Sequence, residues 1–254
     1  MLKKIKIGKG VRIIIAGVVI LSVISFAERK QSAEVCRSIV IKLNNQANNF
    51  FIDENDILSL MTDDGDEAIV GVDFKDLNLK EIEERVRAQK FLNKAEIYKD
   101  LKGNILVNAS LRRPFARILN NGTPSGYVAM DGVILPASSK YTSRTMVITG
   151  SYMGKMTEKD LKATEDGQKI YALLKFINED KFWKAQIAEI DIDKNLYVKI
   201  YPQVTKQIVE FGQPVQLEEK FRKLKVFYQK ILPQKGWNTY ERVNLEYKDQ
   251  IIAE

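Results

Sequence analysis

Apolar and polar positions change their period several times along this chain, and each change marks an element. Ile39, Ile41 and Leu43 fall on one face of a strand, which the Asn44-Asn45 pair closes as a turn. Phe51-Ile52 leads into a short helix with Asp53 as N-cap, Asp56 as its capping-box partner, and Ile57, Leu60 and Met61 as the apolar side. The acidic run Thr62 to Glu67 reads as a loop from this helix to a strand at Ala68-Ile69-Val70. A second helix starts at Asn78, which with Glu81 makes a capping box, and buries Leu79, Ile82 and Val86. Two strands follow, Ala95 to Lys99 and Asn104 to Arg112, joined by a turn at Asp100 to Asn104. The order strand, helix, helix, strand, strand closes a compact α+β unit.

The pattern then changes. Arg113 to Ile118 leaves this unit, and Pro114 is expected to stop strand pairing there. Asn120 to Gly126 is turn-rich, Tyr127 to Met130 reads as a strand, and Asp131-Gly132 is a hairpin signal leading into Val133 to Pro136. After Val147-Ile148-Thr149-Gly150, a helix is predicted from Glu158 to Asn178 with Ile170, Leu173, Leu174 and Ile177 on one stripe and Gly167 interrupting it. Ile187 to Ile192 and Leu196 to Ile200 form a hairpin around Asp193 to Asn195, and Gln207 to Phe211 adds a strand. A helix from Leu217 to Ile231 buries Leu217, Phe221, Leu224, Tyr228 and Ile231 at steps of three and four. The last strand is predicted from Glu241 to Ile251, with Val243, Leu245 and Tyr247 facing one way and Arg242, Asn244, Glu246 and Lys248 the other.

One stretch has no period at all. From Val11 to Ala27 the chain carries no charge after Arg12, and roughly 15 residues of helix span some 22 Å, short of a hydrocarbon core of about 30 Å unless the flanks contribute. Lys9, Arg12, Arg29 and Lys30 can lay their aliphatic stems along the helix and keep their charges among headgroups. Lys3, Lys4, Lys6, Lys9 and Arg12 precede the stretch without an acid, so the N-terminus is expected inside and the bulk of the chain outside. A cleavable signal peptide ending at Ser25-Phe26-Ala27 is the rival reading. Both place everything after Ala27 outside the cytoplasm.

Composition narrows the chemistry. Of 254 residues 45% are hydrophobic and 29% charged, ordinary for a folded chain with one large or two small domains. Much of the net charge of +7 lies in the N-terminal tail, and beyond it acids and bases interleave, which argues against nucleic acid. With Cys36 as the single cysteine and no histidine, an intrachain disulfide, histidine metal sites and histidine-based triads are excluded. Cys36 is expected to be a neutral, half-buried thiol. The acidic run 62–67 lacks the twelfth-position ligand of an EF-hand. The acid pairs Asp191 and Asp193, or Glu218 and Glu219, are candidate glycan-cleaving dyads, but neighbouring acids of this kind are far more often solvated surface, and nothing marks a nucleophile. No catalytic residue, metal, cofactor or small-molecule ligand is assigned.

The order of parts resembles the FtsQ/DivIB family of bacterial cell-division proteins. Ile39 to Leu43 with Phe51-Ile52-Asp53 resembles the first strand and helix of its POTRA domain, and Lys94 to Asp100 with Gly103 to Val107 the closing hairpin. Arg113-Pro114-Phe115-Ala116 is similar to the family's Arg-x-Pro-x-Ala exit, one spacer shorter. Tyr127 to Pro136, Val147 to Gly150 and Val243 to Tyr247 resemble three stretches of its β domain; Asn244 and Glu246 depart from the acid and base often found there.

The resemblance implies an α+β chain with these parts: a cytoplasmic tail 1–10, a transmembrane anchor 11–27, a spacer 28–37, a POTRA domain 38–118, and a mainly antiparallel β domain 119–254 with covering helices. It favours anchor over cleaved signal, with Ile13, Ile14, Ile15, Val18, Val19, Ile20, Leu21, Val23, Ile24 and Phe26 in the bilayer. The implied function is a non-enzymatic, single-pass type II scaffold at the division septum. It links the cytoplasmic division ring to septal peptidoglycan synthesis by holding FtsB/DivIC-like and FtsL-like coiled-coil partners, alongside other divisome components. As an edge strand, Val243, Asn244, Leu245, Glu246, Tyr247, Lys248, Asp249, Gln250 and Ile251 are expected to pair with a partner strand. A POTRA-containing assembly or secretion factor is the alternative; it predicts POTRA repeats or a barrel, and neither pattern is present.

Overall fold

The computed structural model describes residues 10, 14–22, 35–45 and 48–254. Residues 14–22 are helical with exposed side chains, so Ile14, Ile15, Val18, Val19, Ile20 and Leu21 of the expected anchor are helical, while Ile13, Val23, Ile24 and Phe26 lie outside the described residues. Among the described residues no helix is long and apolar enough to cross a membrane.

Contacts divide the chain into two compact units. The first holds a three-stranded sheet in the order β1-β3-β2, from β1 (Ser38–Asn44), β2 (Leu92–Lys99) and β3 (Asn104–Leu111), with helices α1 (Glu54–Met61) and α2 (Leu79–Arg87). β1 runs parallel to β3, setting Ile39 beside Ile105, Ile41 beside Val107 and Leu43 beside Ala109. Alternation along β2 and β3 buries Ala95, Ile97, Ile105, Val107 and Ala109, and Ile57, Met61, Ile82 and Val86 supply the helices' buried positions.

Local chemistry sets the helix starts. The Asp53 carboxylate accepts from the Asn55 and Asp56 amides at 2.9 and 3.0 Å, and Asp56 accepts from the Asp53 amide at 2.9 Å, the reciprocal capping box expected. Asn78 achieves half of one: it accepts from the Glu81 amide at 3.3 Å, but the Glu81 carboxylate turns to the Asn78 side-chain amide. No strand forms at Ala68-Ile69-Val70; only Ile69 is buried there, and the segment joins two helices as irregular chain. The acidic run before it is engaged by Arg85, 2.6 Å from Glu67 and 3.6 Å from Asp63. Cys36 is fully buried, not half-buried, and burial pushes its thiol pKa up.

The second unit comprises residues 45–52, 90–93 and 111–254. Its nine strands are β4 (Pro114–Asn120), β5 (Thr123–Ala129), β6 (Ile134–Pro136), β7 (Met146–Thr149), β8 (Ile187–Ile192), β9 (Val198–Pro202), β10 (Ile208–Gly212), β11 (Arg242–Asn244) and β12 (Ile252–Ala253). Their order across the sheet is β12-β11-β10-β9-β8-β7-β4-β5-β6. Pairing is parallel at β4/β7, β7/β8 and β10/β11 and antiparallel elsewhere, so the sheet is mixed. Pro114 does not stop pairing: it opens β4 opposite Ala129, at a strand's first position where a missing N–H is tolerated. The exit segment 113–118 is thereby the start of a central strand.

One face of this sheet carries α3 (Met153–Met156), α4 (Glu165–Glu179), α5 (Lys181–Gln186), α6 (Leu217–Val226) and α7 (Leu232–Lys235). Ile118, Ile148, Ile190, Ile200 and Phe211 of the strands form one core with Leu173, Leu174 and Ile177 of α4, Trp183 of α5, and Phe221 and Leu224 of α6. Phe221 is its hub, with ring centres 4.8 to 5.1 Å from Phe176, Trp183 and Phe211. Gly167 does not interrupt a helix but helps begin one. The Thr164 hydroxyl caps α4 by accepting the Gly167 amide at 3.0 Å, and a Cβ on Gly167 would sit 2.2 Å from the Leu161 carbonyl oxygen. The helix predicted to Ile231 widens into a π turn over Phe227–Ile231, a phase shift that lets the adjacent rings of Phe227 and Tyr228 both be buried.

Candidate functional site: the two edges of the large sheet

The predicted strand from Glu241 to Ile251 is not one strand. β11 ends at Asn244, the chain bends through Leu245 to Gln250, and it returns antiparallel as β12, with Val243 opposite Ala253 and Asn244 opposite Ile252. β11 therefore has neighbours on both sides, β10 and β12, and is an interior strand. The period-two pattern of Val243, Leu245 and Tyr247 suggested a longer strand, and tertiary contacts override it. The Leu245 amide bonds the Glu210 carbonyl at 3.0 Å, while the Lys223 ammonium of α6 donates to the Leu245 and Tyr247 carbonyls at 3.0 and 2.6 Å. Asp249 takes a left-handed φ of 57°, a conformation an aspartate tolerates in a tight reversal.

The expected site residues are thus separated by role. Val243 and Leu245 are buried in the core, and Ile251 packs against it half-buried. The Asn244 amide donates to Glu210 at 3.1 Å, and its side-chain oxygen accepts the Glu246 amide at 2.8 Å. The Tyr197 hydroxyl donates to the Glu246 carboxylate at 2.7 Å; burial, then that carboxylate, raises the phenol's pKa well above its ordinary value. Tyr247, Lys248, Asp249 and Gln250 are exposed at the turn. Glu210, Arg242, Asn244, Tyr247, Ile252 and Glu254 line a shallow cavity of about 170 Å³ beside β12.

The exposed backbone lies one strand further out than expected. Arg242 and Glu254 exchange amide-to-carbonyl bonds of 3.0 and 3.1 Å, so the next residue pair, Val243 and Ala253, is of the non-hydrogen-bonded kind. Ala253 consequently directs its N–H and C=O away from β11, toward the open edge. Ile252 and Ala253 were missed because a two-residue strand has no readable period; the polar Lys248-Asp249-Gln250 run between Tyr247 and Ile251 was the available signal for the turn.

At the opposite edge, β6 is closed. Pro136 has no N–H to offer, and the Ile134 amide is taken by the Asp160 carboxylate at 2.9 Å. Three of the four candidate acids are engaged elsewhere. Asp193 accepts the amides of Asn195 and Tyr197 at 2.8 Å each as the turn between β8 and β9, Asp191 accepts from the Thr149 hydroxyl at 3.3 Å, and Glu219 lies 3.6 Å from Lys223.

Two family models match the chain. One described as FtsQ/DivIB, C-terminal related, covers residues 113–254, the unit that carries both edges. One described as a POTRA-like domain covers residues 34–110. No curated protein matches.

Proposed function

Because the chain belongs to the FtsQ/DivIB family of cell-division proteins, we propose that it is a single-pass scaffold of the divisome that receives a partner's strand at the open edge of β12. In this reading residues 11–27 anchor it in the cytoplasmic membrane with the N-terminus inside, and the two folded units work outside at the septum. FtsB/DivIC-like and FtsL-like proteins are the partners, and the cavity beside Tyr247 and Ile252 takes a side chain of the added strand. The partner-binding backbone is then Ile251 to Ala253; Val243 to Leu245 support it from within the sheet.

The observation that carries the reading is the outward N–H and C=O of Ala253 on a sheet whose other edge is closed. Main-chain bonds of this kind give affinity, and flanking pockets give specificity. The test is amide hydrogen exchange of the full chain in detergent, with and without an FtsB/DivIC-like partner. Protection gained at Ile251 to Glu254 supports strand addition. Partner binding with unchanged exchange there, and protection elsewhere, contradicts it.

A further inference from the structure

At one end of the large sheet the N-terminal ends of the parallel strands β4, β7 and β8 lie side by side, with Ala116 beside Met146 and Val147 beside Glu189. A cavity of about 580 Å³ opens there, bounded also by the ends of α4 and α5 and the loop before β7. Four of its lining side chains are cations, Arg113, Arg117, Arg144 and Lys184, and among the described residues no carboxylate lines it. None of the four has a carboxylate partner among the described residues. The neighbouring acids are engaged elsewhere. Asp180 caps α5 through the Phe182 and Trp183 amides, Glu179 lies 3.7 Å from Lys175, and Glu189, two strands from Arg117, accepts from the Thr149 hydroxyl at 2.7 Å.

Two polar atoms of this lining are buried and have no hydrogen-bond partner: Nε of Arg117 and Oγ1 of Thr145. A buried unpaired donor destabilises a fold, and clustered like charges repel, so these groups need a counter-charge on both counts. An anion relieves both. Three of the four cations are guanidiniums, whose planar forks match oxyanions bidentately. The cavity lies in the size range of small-ligand sites, about 300 to 1,000 Å³, and its cations come from β4 and the residue preceding it, α5 and the loop before β7. We propose that this cavity binds a ligand carrying two or more phosphate groups. The site is independent of the β12 edge and of any protein partner.

The experiment is calorimetric titration of the full chain in uncharged detergent with inorganic pyrophosphate. The expected result is one saturable site that weakens with added salt. Arg117→Gln should weaken it at least about tenfold, with Arg117→Lys in between because it keeps the charge and loses the fork. The double variant Arg113→Gln/Arg144→Gln, at exposed positions that leave the fold intact, should weaken it at least about tenfold as well. Citrate should bind at least about tenfold more weakly than pyrophosphate. Displacement of pyrophosphate by geranyl pyrophosphate, at lower concentration than by unlabelled pyrophosphate, assigns the site to a pyrophosphate borne on a lipid; displacement only at equal or higher concentration assigns it to a soluble phosphate. The proposal is overturned if the folded protein shows no saturable binding, if the double variant binds pyrophosphate unchanged, or if citrate binds equally well.

Discussion

The two edges of the nine-stranded sheet face the same hazard and answer it oppositely. Any edge presents unpaired backbone groups that can template association. At β6 a proline and a carboxylate remove the donors, through Pro136 and the Asp160 bond to the Ile134 amide. At β12 the strand is short, but the N–H and C=O of Ala253 point outward and Ile252 is exposed beside them. In the proposed reading, closing one edge with side chains and leaving the other open confines strand addition to one place. α6 reinforces the difference. Lys220, buried, bonds the Phe211 carbonyl near the end of β10 and the Gln213 carbonyl just after it, and Lys223 holds the turn after β11, so the open edge rests on a fixed support.

That support is the first place to break the comparison. Lys223→Met removes two charge-assisted bonds to the Leu245 and Tyr247 carbonyls and should cost about 2 to 3 kcal/mol, measured by denaturant unfolding. Hydrogen exchange should accelerate at residues 245–250 and remain unchanged around β6. A smaller effect is expected at the closed edge. Asp160→Ala frees the Ile134 amide, costs about 1 kcal/mol, and should create concentration-dependent self-association in sedimentation, because a second edge is now open. If Asp160→Ala stays monomeric at all concentrations, the carboxylate does not guard β6.

The smallest effect concerns pH. Tyr197 has its pKa raised in the folded state by burial and by its bond to Glu246. A raised folded-state value means the stabilisation is fully present below the ordinary tyrosine pKa of about 10 and is lost as the pH rises beyond it. The wild-type chain should therefore lose stability more steeply above about pH 10 than Tyr197→Phe. At neutral pH the variant should differ by only about 0.5 to 1 kcal/mol. Parallel stability curves for the two chains across the alkaline range would remove Tyr197 from the support of the turn.

How much of this was legible depended on how local each cause is. The Asp53-Asp56 capping box could be read directly, because both partners lie within one helical turn. The hairpin at Asp193 and the stripe Ile170-Leu173-Leu174-Ile177 were readable for the same reason. Pro114 misled because its meaning depends on whether it falls inside a strand or at its first residue, which only the pairing with β5 decides. Gly167 misled because its close neighbour is the carbonyl of Leu161, outside the helix it belongs to. The edge was misplaced by one strand. Alternation at Val243, Leu245 and Tyr247 continues past the point where Lys223 and Asp249 turn the backbone, and neither influence shows in a periodic pattern.

The most direct test of the central claim is a substitution aimed at the outward backbone of β12. Ala253→Pro removes an N–H that β11 does not use, so the fold and melting temperature should be nearly unchanged. Affinity of the full chain for the proposed FtsB/DivIC-like partner, measured in detergent, should fall at least about tenfold, as expected for one main-chain bond lost and an obstructed edge. Undiminished affinity in a folded Ala253→Pro chain would contradict the account.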